Sequence, residues 1–176
     1  MADPESPDQL ASLPILNRLA ALRNIEDRTK RIATTAAIHA VLRAQWFLDP
    51  RFHTSIASHL VDEVHPLFRH AFAALAPAEV ARVDLRAFAL ANQSLHQHHG
   101  LEDRLWFPRL KKLHPEMRAE IEILEADHGA LVALEARIRR GDVKALREFV
   151  ENLMDHLNRE EMISVPFLMD GTGGLG

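Results

Sequence analysis

Apolar residues recur at every third or fourth position along most of this chain, the period of an amphipathic helix. β-branched residues are scattered rather than alternating, so strands are not expected. The pattern predicts an N-terminal helical segment over 13–48, broken near Arg23–Asp27. Asp49–Pro50 ends it and starts the next helix, with Asp as N-cap and Pro in the first turn. That helix runs to about Leu75, Ala76–Pro77 breaks it, and a long helix continues to about Leu113. After a break at His114–Glu116, a helix reaches about Arg140 and Gly141 stops it. The last helix spans about 143–164, with Pro166 as its terminator.

Four consecutive helices with short connections predict an all-α fold: an up-down-up-down four-helix bundle over 49–170. The segment 13–48 is extra; it covers the bundle or makes a homodimer contact. Residues 1–12 read as a polar, disordered arm and 171–176 ("GTGGLG") as a flexible tail.

Composition narrows the chemistry. A formal charge of -4 gives no basic footprint for nucleic acid or membrane. No apolar run is long enough to span a bilayer, and the acidic start "MADPESPDQL" is no secretory signal, so a cytoplasmic location is expected. Cys and Tyr are both absent, which excludes disulfides, thiolate metal sites, thiol catalysis and phenolate ligands. No G-x-S-x-G or H-E-x-x-H motif occurs. The anomaly is the 11 histidines.

Projection onto helical faces sorts them. In the second bundle helix, Val80, Ala87, Ala91, Leu95 and Leu105 form the expected apolar stripe. His98 and Glu102 fall within it, His99 lies at its edge and His96 points away. In the last helix His156 and Glu160 lie within the stripe of Leu146, Phe149, Leu153 and Leu157; in the third, His128 joins Ile121, Leu124, Leu131 and Ile138. In the first, His53 projects onto the stripe of Ile56, Leu60, Val64, Leu67, Ala71 and Leu75. His59 and His65 sit off it, and the His59-x-x-x-Glu63 pair is a decoy.

Level gives a second test. Counting about 21 residues either side of Ala76–Pro77 pairs His98 with the neighbourhood of His53, whereas His65 misses by about 15 Å at 1.5 Å per residue. Similar counts across His114 and Gly141 bring His128 and His156 to the same height. Burying two ionised carboxylates uncompensated costs several kcal/mol each. No Lys or Arg is expected on the inward faces at that height, so a metal is the economical partner. Imidazoles with shared carboxylates suit iron or manganese, and zinc less specifically. Two His per metal with Glu102 and Glu160 shared makes a dinuclear centre, with positions open for water, dioxygen or peroxide.

His98-x-x-x-Glu102 followed by "LWFP", "EADH" at Glu125–His128, and His156-x-x-x-Glu160 followed by "VPFL" resemble the hemerythrin-like (HHE cation-binding) family, over about 51–168. "FHTSI" around His53 resembles that family's first-helix histidine segment. The resemblance implies a non-haem di-iron bundle, oxo- or hydroxo-bridged, that binds dioxygen, peroxide or a related small molecule. It further implies His53, His98, His128 and His156 as terminal ligands, and Glu102 and Glu160 as bridging ones. The chain departs from the oxygen-carrier pattern: the positions four residues from His128 are Leu124 and Val132, not His. A more open iron favours reaction with peroxide over reversible carriage. Two rival readings remain: a ferritin-like di-iron oxidase, for which Glu125-x-x-His128 fits once, and a metal-free helical interaction module presenting Trp46 and Phe47.

Overall fold

The computed structural model describes residues 6–172; residues 1–5 of the expected arm and 173–176 of the expected tail lie outside the described residues. Every regular element among the described residues is helical. Compact packing divides the chain into two units, one of 6–58 with 157–172 and one of 59–156. Among the described residues, no helix is long and apolar enough to cross a membrane.

The first unit holds α1 (Pro7–Ser12), α2 (Ile15–Arg23), α3 (Arg28–Phe47), α4 (Pro50–Thr54), most of α5 (Ile56–His59) and the second half of α10 (Val143–Met169). Residues 7–12 are helical although the sequence reads as a polar arm. Ser6 caps the helix reciprocally with Gln9, and Leu10 and Ala11 are buried. The buried Arg18 guanidinium donates to the carbonyls of Ala11 (2.7 Å) and Leu13 (2.9 Å), the orphan acceptors at the end of α1. Burial pulls its pKa below the usual arginine value. The break expected near 23–27 falls at 24–27, where Asp27 caps α3 through Lys30 N (2.7 Å). Pro166 does not stop α10. It lies in the last turn, and its carbonyl still accepts from Asp170 N at 3.1 Å.

The second unit contains α6 (His65–Leu75), α7 (Leu85–Leu101), α8 (Phe107–Leu113), α9 (Arg118–Ile138) and the first half of α10. Gly141, at φ 85°, ends the α9 segment as expected, in the left-handed conformation that glycine adopts without strain. Asp84 caps α7 through Ala87 N (2.9 Å), so the long helix expected from residue 77 begins only at Leu85.

Two π-helical turns, Leu60–Val64 and Glu102–Trp106, each run into an X-Pro pair, His65–Pro66 and Phe107–Pro108. Proline lacks the N–H that the carbonyl four residues earlier requires and crowds that carbonyl. The chain widens instead, with His65 N bonding Leu60 O and Phe107 N bonding Glu102 O.

The buried faces of α6 and α7 lie one residue from those expected. Val61, His65, Phe68 and Phe72 are inward, whereas Leu67 is 69% exposed. On α7 and its π turn the inward line is Phe88, Asn92, Leu95, His99, Glu102 and Trp106, whereas Leu105 is 54% exposed. Residues i and i+1 differ by about 100° on a helix, so each segment offers two apolar faces, and the face with more aromatic area wins. Phe72, Phe88 and Phe149 meet with ring centroids 5.2–6.1 Å apart.

Candidate metal centre

The interior of the 59–156 unit gathers six side chains from four helical segments: His65, His98, His99, Glu102, His128 and His156. His65 opens α6 immediately after its π turn. His98 and His99 close α7 and Glu102 starts the next π turn, so Glu102 is four residues from one histidine and three from the other, on the same side of the helix as both. His128 and His156 sit on the inward faces of α9 and α10.

These groups form two pairs. His65 Nε2 lies 3.2 Å from His98 Nε2, and His128 Nε2 lies 3.2 Å from His156 Nε2. Glu102 joins them: Oε1 is 3.1 Å from His98 Nε2 and Oε2 is 3.5 Å from His128 Nε2. His99 stacks on His128, ring centroids 3.8 Å apart at 10° between planes. His99, Glu102, His128 and His156 each present a ligand atom within 4.8 Å of the others.

Outer carboxylates fix the rings. His128 Nδ1 donates to Asp103 Oδ1 at 2.9 Å, and His156 Nδ1 donates to Asp127 Oδ2 at 3.3 Å. An ionised carboxylate only accepts, so each neutral ring carries its proton on Nδ1 and turns a bare Nε2 lone pair inward. Two such lone pairs 3.2 Å apart repel unless a proton or a metal cation lies between them. Nδ1 anchored by a carboxylate with Nε2 directed at a shared point is the arrangement in which histidine ligates metals. The donor set therefore fits a metal ion, with Glu102 within reach of both imidazole pairs.

The residues expected from the sequence distribute as follows. His98, Glu102, His128 and His156 come together. Glu160 lies one turn past His156 on the same face of α10 and is 0% exposed. His53 is not brought to the cluster. Its side chain is exposed and Nε2 donates to Phe47 O at 2.8 Å, capping the C-terminal end of α3. The helix expected to carry it inward is interrupted at Ser55, whose backbone is extended. His59 and Glu63 form an exposed pair at 3.0 Å. Glu125, needed by the ferritin-like reading, is held by Lys111 Nζ at 2.7 and 2.8 Å.

Face reading missed His65 and His99. The signal for His99 lies in the strict alternation of three- and four-residue steps from Phe88 to Trp106, which passes through the polar Asn92 and His99. Residues 56–168 match the family model described as hemerythrin HHE cation binding domain. No curated protein and no solved structure gives a match.

Proposed function

The chain belongs to the hemerythrin HHE cation-binding family, and from that premise we propose that it is a cytoplasmic di-iron protein that binds dioxygen, peroxide or a related small molecule. We assign His65 and His98 to one ion, His99, His128 and His156 to the other, and Glu102 to both. Glu160 is the further carboxylate, on the strength of its burial one turn beyond His156. Oxidant sensing, oxidant removal and iron handling are the roles this chemistry serves. The observation that carries the reading is the double approach of Nε2 atoms at 3.2 Å with Glu102 reaching both pairs.

Bound iron supplies redox chemistry and coordination positions that the side chains leave open. The protein's own contribution is to hold the ligands. Asp103 and Asp127 keep the protons of His128 and His156 on Nδ1. Phe107 stacks 5.7 Å from His128 and Phe68 lies 5.1 Å from His98, walls that exclude water from the rings. Leu124 and Val132 provide no donor on α9, and His99 supplies a third imidazole from α7 instead. The up-down-up-down arrangement of the family bundle suits these placements.

Metal analysis with a visible spectrum tests the assignment. Wild-type protein reconstituted with ferrous ion without air should hold about two irons per chain and, on oxidation, absorb in the visible where the metal-free chain does not. His65→Ala should lose one of them, and His53→Ala should lose neither. Full metal content in His65→Ala together with loss in His53→Ala would reverse the assignment. Asp103→Asn should weaken metal binding about tenfold, the low end for an outer partner, because Asp103 is partly exposed. Competition with a graded series of chelators measures it.

A further inference from the structure

The apolar face that packing turns outward on α6 and α7 stays exposed. Leu67 on α6 is 69% exposed, Leu90 and Leu101 on α7 are 61% and 54% exposed, and Leu105 in the following π turn is 54% exposed. All four belong to the 59–156 unit. Leu90 and Leu101 are 11 residues apart, about three full turns, so they share one side of α7. Between them that side carries Ser94 and Gln97, exposed and uncharged.

Interior contacts fix how the two helices lie against each other. They run antiparallel, with His65 and His98 ring centroids 5.2 Å apart at one end and Phe72 and Phe88 centroids 6.1 Å apart at the other. Leu67 therefore stands level with about residue 96 of α7, midway between Leu90 and Leu101. Phe68 meets His98 across the seam at 5.1 Å, and Leu67, about 100° further around α6, turns outward beside it. Leu90 and Leu101 turn outward on the α7 side of the same seam, about 60–80° beyond His98. An isolated soluble chain rarely exposes so continuous an apolar face.

We propose that the outer α6–α7 face binds a second copy of this chain as a two-fold dimer. A two-fold contact needs a patch that is its own complement. An axis at the level of Leu67 sets Leu67 against its copy, and sets Leu90 of each chain against Leu101 of the other. With no charge between those leucines, the centre can become dry while polar groups stay at the rim. The size also suits a second copy. α7 is about 25 Å long and two adjacent helices are about 20 Å wide, the scale of the roughly 800 Å² that each partner covers in a stable interface. The contact lies outside the segment 13–48, to which the sequence pattern points, and it does not depend on the metal centre proposed above.

Sedimentation equilibrium of the full chain reads the mass against 19.9 kDa for one copy. A dimer with a dissociation constant below about 10 μM is expected from metal-free and metal-loaded protein alike. Leu67→Glu sets two carboxylates against each other at the axis and should raise that constant about 100-fold or more. Helicity and thermal midpoint should hold, because the side chain is exposed. Leu90→Lys and Leu101→Glu should each weaken the dimer about tenfold or more. The double variant should recover it, because the new ammonium of one copy meets the new carboxylate of the other. A chain that stays monomeric up to about 100 μM overturns the proposal and leaves the face to a different protein. So does a dimer that survives Leu67→Glu, or a double variant no tighter than its weaker parent. A mass that keeps growing with concentration also overturns it, since that marks a head-to-tail contact.

Discussion

Glu102→Gln is expected to empty both of the proposed metal positions at once, with apparent affinity falling about 100-fold or more, beyond the effect of losing an outer partner. The two oxygens of Glu102 face different imidazole pairs, at 3.1 Å from His98 Nε2 and 3.5 Å from His128 Nε2. Glutamine keeps the volume and the π turn but removes the charge and turns an N–H₂ donor toward one pair. His65→Ala, which disturbs one pair only, should leave the other ion in place. Metal per chain, measured beside helicity, separates the two variants.

Stability should change in opposite directions with and without metal. A buried carboxylate is costly when no cation compensates it. Metal-free Glu102→Gln should therefore melt at or above metal-free wild type. With metal at about 1,000 times its dissociation constant, wild type gains about 4 kcal/mol that the variant does not. Melting curves with chelator and with metal, for both proteins, check the crossing. Curves that keep the same order in both conditions would mean that Glu102 is a structural group.

Phe149→Ala is expected to destabilise the 59–156 unit by about 3–5 kcal/mol, the range for truncating a buried aromatic. Phe149 is 0% exposed, with its ring centroid 5.2 Å from Phe72 and 5.4 Å from Phe88. Removing it leaves a cavity bordered by side chains from three helices that cannot all close in. It also lines the inner cavity beside His99 and His128, so metal affinity should fall with it. Phe149→Leu keeps most of the volume and should cost much less, about 1.5 kcal/mol or under. Denaturant unfolding in the presence of chelator isolates the packing term. A loss below about 1 kcal/mol in Phe149→Ala would show that the aromatic cluster does not anchor this unit.

Much of the site is legible in one dimension because helical period is a local property. The starts at Asp27 and Asp49 and the stop at Gly141 follow from side-chain capping and from a backbone angle that glycine accepts. The inward faces of α9 and the first half of α10 are unambiguous, since each has a single apolar stripe. His128 and His156 therefore fall where the period puts them. The His98-x-x-x-Glu102 spacing fixes those two side chains on one side of a helix whatever surrounds them.

Residue order alone thus dictates which segments coil, where most of them start and stop, and which polar residues interrupt a lone apolar stripe. The rotation of α6 and α7, which buries His65 and His99, and the exposure of His53 came from packing between helices. Two faces about 100° apart were nearly equally apolar there, and packing of Phe68, Phe72 and Phe88 selected between them. Level was also a tertiary matter. The connection between α6 and α7 is centred near residue 80 rather than at Ala76–Pro77, which brings His98 to within about a turn of His65. Periodicity fixes angles around one helix axis, whereas the depth and rotation of one helix against another are set by the area that both bury.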